Sequence, residues 1–136
     1  MNNTLKTKNN LWIYGKPGSG KTFFATTNFK PYYWKNLTKW WDGYNGESNV
    51  LIDDLDNHNK ELAHYLKIWA DNYGFIGEVK MGTIPINFER LIVTSNYLPK
   101  DLYDPITATA ITRRFTFYTI TGNYPNFQLV NYNLEN

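Results

Sequence analysis

Leu11-Trp-Ile-Tyr-Gly-Lys-Pro-Gly-Ser-Gly-Lys-Thr22 is an apolar run that breaks into glycines and ends on a lysine and a hydroxyl. Four apolar residues in a row suit a strand buried on both faces. Behind them, Gly15, Gly20, Lys21 and Thr22 fit the spacing G-x-x-x-x-G-K-[ST] of a phosphate-binding loop. Glycine permits backbone angles that a side chain forbids, so successive N–H groups can turn inward around an anion. Residues 21–28 read as a helix whose positive N-terminal end faces that anion. Lys21 is expected to reach the β- and γ-phosphates of a nucleotide, and the Thr22 hydroxyl to ligate a Mg²⁺ ion bridging them. The expected contact set is Gly15, Pro17, Gly18, Ser19, Gly20, Lys21 and Thr22. Strand, loop and helix together predict an α/β domain with a central, mostly parallel sheet flanked by helices.

The rest of the chain supplies further strands that end in polar residues. Tyr32-Tyr33-Trp34 reads as a second strand after Pro31, and a loop over 37–47 carries Trp40 and Trp41 between turn signals. Asn49 to Ile52 is an apolar strand ending in Asp53-Asp54, where a parallel strand opens onto a ligand crevice. Asp53 can hold the Mg²⁺ shell and Asp54 can act as general base toward a water, since both roles need oxygen. Residues 59–73 show helical periodicity through Leu62, Tyr65, Leu66 and Trp69. Residues 75–88 read as a hairpin with Lys80 near its tip, within reach of a nucleic-acid phosphate. Leu91-Ile92-Val93 is another buried strand, running into Thr94-Ser95-Asn96, and the Asn96 amide can hold a water against a γ-phosphate.

Residues 101–110 read as a polar connection. Arg113 and Arg114 precede an alternating strand over 115–120, and either guanidinium can serve a neighbouring subunit as a finger or stand solvated at a strand start. The aromatic residues of 32–44 suit a stacking platform for bases, but at such density they suit a core or an interface better. His58 and His64 read as surface or packing residues. The expected layout is a flexible segment over 1–10, a single domain over 11–121, and a loosely attached tail or surface strand over 122–136.

Composition narrows the chemistry. The 136 residues include no cysteine and two histidines, which leaves carboxylates, Lys, Arg and Mg²⁺ to act. The formal charge of +2 is too small to indicate nucleic-acid binding by itself. No apolar run reaches the ~20 residues that cross a bilayer, and no signal-peptide pattern opens the chain. A soluble, intracellular protein is expected, and the nearness of the first strand to Met1 suggests a piece of a longer one.

Six segments occur in a recognisable order: GKPGSGKT, YYWKNLTKWWDGY, VLIDDLD, EVKMGTIPINF, LIVTSN and TRRF. In them the chain resembles the superfamily 3 helicase domain of replication initiator (Rep) proteins from circular single-stranded DNA viruses, circoviruses among them. The resemblance implies an AAA+-type P-loop ATPase that uses ATP and Mg²⁺ and moves 3′ to 5′ on single-stranded DNA as a homo-hexameric ring. It implies Lys21 and Thr22 as the Walker A pair, Asp53 and Asp54 as Walker B, Asn96 as the motif C sensor and Lys80 on a DNA-tracking hairpin. It favours Arg114 over Arg113 as the arginine finger. Work in the host cell nucleus is implied, with no membrane partner. Rep proteins also carry a nicking domain and a helical oligomerisation segment. Neither pattern stands before Leu11, so no nicking is expected of this stretch, which alone is expected to be monomeric and slow. Three other readings stay open: a nucleotide- and DNA-binding module with little turnover, an RNA helicase of the same superfamily, and a P-loop kinase, which no arginine-rich lid supports.

Overall fold

The computed structural model describes residues 8–134. Six strands form the main sheet: β1 (Leu11–Tyr14), β2 (Tyr32–Trp34), β3 (Asn49–Ile52), β6 (Arg90–Ser95), β7 (Thr116–Thr121) and β8 (Gln128–Asn131). Their order is β2-β3-β6-β1-β7-β8, parallel throughout except for β8, which runs antiparallel to β7. A separate antiparallel hairpin joins β4 (Phe75–Val79) to β5 (Gly82–Ile86). The fold is the α/β, mostly parallel sheet that the sequence implies.

Strand periodicity splits the core in two. On β1, Trp12 joins Val50, Ile52, Leu91, Val93 and Phe117 on one face, while Leu11 and Ile13 join Leu51 and Ile92 on the other. The second face is covered by α1 (Lys21–Asn28) through Ala25 and Phe24. The first face is covered by α2 (Ala63–Trp69), α3 (Pro99–Leu102) and α4 (Pro105–Thr112), which bury Leu66, Trp69, Leu102 and Ile111.

Trp41 is wholly buried, with the rings of Tyr33, Tyr44, Trp69, Phe75 and Phe88 around it at 5.3 to 6.0 Å. Its backbone N–H donates to the Glu78 carbonyl, so the aromatic loop ties the hairpin to the domain. Gly77 makes that approach feasible, since a Cβ there would lie 2.9 Å from the Trp41 indole and 2.8 Å from Ile86.

Several expectations change. The helix expected over 59–73 is a 3-10 segment, Asn57–Leu62, followed directly by the short α2; Asn59, inside the 3-10 segment, leaves helical angles (φ −119°) and kinks it. The connection expected over 101–110 is largely helical. Asp101 accepts from the Leu98 N–H at 2.9 Å and Asp104 from the Thr107 N–H at 3.1 Å, capping two helices that each begin with proline. Of the two readings for 122–136, the surface strand forms, as β8. In the segment expected to be flexible, residues 1–7 lie outside the described residues, whereas Lys8 and Asn10 are buried. The Lys8 ammonium donates to the carbonyls of Trp69, Asp71 and Tyr73, closing the end of α2.

Candidate nucleotide site

Parallel pairing brings three strand ends to one edge of the sheet. Tyr14 is level with Ser95, and Ile52 with Val93, so the residues after β1 and β3 and at the end of β6 open into one crevice. Its volume is about 730 Å³, and its lining includes Gly20, Lys21, Thr22, Asp53, Asp54 and Asn96. Pro17 and Gly18 also line it, while Gly15 and Ser19 lie behind, next to Lys21.

Lys21 is 8% exposed. Its ammonium donates to the Gly15 carbonyl at 2.8 Å, the Lys16 carbonyl at 2.7 Å and the Asn96 side-chain oxygen at 3.0 Å, with Ser19 Oγ at 3.4 Å. Burial pushes its pKa below the ordinary lysine value, against the opposing pull of Asp54 and then Asp53. A buried cation held this way at the lining of the crevice suits a polyanion better than water.

Thr22 donates its hydroxyl to Asp53 Oδ1 at 2.5 Å, and Thr94 donates to the same oxygen at 2.8 Å. The hydroxyl and carboxylate are the hard oxygen donors that Mg²⁺ takes alongside phosphate, so these residues fit the ion that the sequence implies. Thr94 Oγ1 also accepts from the Asp54 N–H at 2.8 Å. That bond holds Asp54 in the left-handed region (φ 57°), a conformation costly for a residue other than glycine, and leaves the Asp54 side chain exposed to the crevice.

Three candidate residues stand elsewhere. Arg114 donates to the Ala110 carbonyl at 2.5 Å and lies 3.7 Å from Asp71, beyond the far end of β1. Arg113, next to it, is exposed. Lys80 sits at the hairpin tip beside Met81, which is 96% exposed, with its ammonium 4.3 Å from the Trp40 ring centroid. Sequence reasoning assigned no role to Thr94, Phe23, Tyr124 or Phe127, all of which line the crevice. Thr94 was signalled by the polar run that ends β6. Tyr124 and Phe127 directly follow Gly122-Asn123 and Pro125-Asn126 in the expected tail, where only their density hinted at packing.

Residues 11–97 match the family model described as RNA helicase. The replication-associated protein of Porcine circovirus 1 is 35% identical over 102 residues, covering 73% of this chain and 32% of that protein. That of Goose circovirus is 36% identical over 110 residues, covering 79% and 37%. That of Human associated cyclovirus 1 is 32% identical over 112 residues, covering 76% and 39%. The chain thus spans about a third of the length of these relatives.

Proposed function

The chain belongs to the RNA helicase family, as the superfamily 3 helicase domain of circovirus-like replication-associated proteins, and from that premise we propose that it is the ATP-hydrolysing motor of a viral replication initiator. One observation carries the reading: Lys21, Thr22, Asp53, Asp54 and Asn96 come from three strand ends and meet in one crevice, with Lys21 bonded to Asn96 and Thr22 to Asp53.

Each residue then has a task in hydrolysis. The loop amides and Lys21 bind the β- and γ-phosphates and hold them in line for attack. Thr22 and Asp53 would hold Mg²⁺, which would supply positive charge against the phosphates. Asp54 takes the proton of the attacking water, and Asn96, whose oxygen is engaged by Lys21, keeps its amide N–H for that water. A finger at Arg114 must first leave Asp71 and the Ala110 carbonyl, whereas one at Arg113 needs no such release.

The proposal extends to a hexameric ring that moves 3′ to 5′ on single-stranded DNA, with Lys80 on the DNA phosphates, and to work in the host nucleus. No helix among the described residues is long and apolar enough to cross a membrane. The test is steady-state ATP hydrolysis per subunit against protein concentration, with single-stranded DNA, with RNA, and with neither. A rate that climbs with concentration and with DNA supports the ring motor. A rate that RNA raises more points to an RNA helicase, and ATP binding with flat, DNA-indifferent turnover points to a binding module.

A further inference from the structure

The crevice has a second half, built from aromatic rings. Tyr124 and Phe127, from the loop between β7 and β8, lean on Phe23 in the first turn of α1, with ring centroids 5.0 Å and 5.9 Å from that of Phe23. Phe127 lies directly against the phosphate-binding loop: a Cβ at Gly20 would come within 2.7 Å of its ring. Tyr124 is nevertheless 72% exposed and Phe23 37% exposed. Two large rings thus stay solvent-accessible in a cleft whose lining also includes Lys21, Thr22, Asp53 and Asn96.

We infer that Phe23, Tyr124 and Phe127 form the platform on which the base of the bound nucleotide stacks. This rests on the reading of the loop as a phosphate site and deepens it by naming the substrate class. The rings share the cleft with the phosphate-binding residues, so one ligand with an anionic end and a flat apolar end satisfies both halves. Pro17, Gly18 and Gly20 share the lining with the three rings and carry no side-chain donor or acceptor to read the edge of a base. Stacking uses the π-face that every base has, so the site takes all four ribonucleoside triphosphates and holds purines, with the larger face, more tightly than pyrimidines.

Equilibrium binding of ATP, GTP, CTP, UTP and inorganic tripolyphosphate, each with Mg²⁺, to the wild-type chain and to Tyr124→Ala and Phe23→Ala tests this. Tripolyphosphate offers the phosphates without the base, so it reads the loop alone and also reports whether a variant is folded. The wild type is expected to bind ATP about tenfold more tightly than tripolyphosphate, within the range that stacking one base on aromatic rings contributes. Each alanine variant should close most of that gap with tripolyphosphate affinity unchanged, and Tyr124→Phe should keep it. A gap that survives both alanine variants overturns the platform. Tighter ATP binding in the variants also overturns it, marking the rings as a plug over the cleft. A wild type that binds tripolyphosphate but gains nothing from the base refutes the platform and spares the phosphate loop, whereas one that binds neither ligand removes both.

Discussion

Thr94 is the residue on which the two aspartates depend. Its hydroxyl donates to Asp53 and accepts from the Asp54 backbone, so one side chain fixes both the carboxylate expected at the metal and the strained backbone that presents the expected base. Thr94→Val keeps the shape and removes both bonds. It should lower kcat for ATP about 10- to 100-fold, the usual cost of losing such a supporting partner, with little change in KM. Lys21 makes a pH prediction of definite sign. Burial lowers its pKa in the free protein, so its positive charge is lost at lower pH than from an ordinary lysine. Bound triphosphate favours the charged form, so binding draws in a proton and ATP affinity should fall as pH rises through the lowered value. Titration of ATP binding from pH 7 to 10.5 checks this, and an affinity flat over the range contradicts it.

The hairpin of β4 and β5 is held through Trp41, and Gly77 leaves room for that indole. Gly77→Ala should destabilise the domain by about 1–3 kcal/mol through overpacking, read as a lower urea midpoint at unchanged slope. At the end of α4, Arg114→Ala removes a guanidinium that holds the Ala110 carbonyl and approaches Asp71, so it should lower stability. Arg113→Ala touches no such bond. If it alone lowers concentration-dependent hydrolysis without lowering Tm, the finger is Arg113; if Arg114→Ala lowers hydrolysis at a temperature where it stays folded, the finger is Arg114.

The strands and α1 were legible because buried apolar runs and a glycine loop are local signals. The helices α3 and α4 were not. Their sequences, Pro-Lys-Asp-Leu and a threonine-rich octet, have weak helix propensity, and their caps and packing against Leu66 and Trp69 form them. The strand β8 was half legible for a related reason, since its pairing with β7 is a tertiary fact. Lys21, Thr22, Asp53, Asp54 and Asn96 could be read singly from strand ends, but the tie through Thr94 needs the register of β3 against β6.

The whole molecule places its chemistry at the edge where β1, β3 and β6 end, and its aromatic core on the face behind. Burial has an electrostatic consequence there. Lys35, buried beneath the rings of Trp41 and Trp69, has its pKa pushed down from 10.5 to about 8 by desolvation. Between those values the unfolded chain binds more protons than the folded one, so stability should rise with pH. Tyr44 and Tyr103 are pushed up from 10.0 to about 12, chiefly by burial. Above pH 10 the unfolded chain loses those protons first, and stability should fall. Thermal unfolding from pH 7 to 11 should therefore show a Tm that climbs above pH 8 and turns over near pH 10. The decline should be shallower in Tyr103→Phe, which also removes a buried hydroxyl without a partner among the described residues.

At the scale of the molecule, the central claim is that three strand ends make one ATP-hydrolysing site, and phosphate release from ATP and Mg²⁺ by the wild type, Lys21→Ala and Asp54→Asn tests it most directly. The account predicts measurable turnover in the wild type, loss of both binding and turnover in Lys21→Ala, and ATP binding without turnover in Asp54→Asn. Turnover that survives either substitution would contradict it.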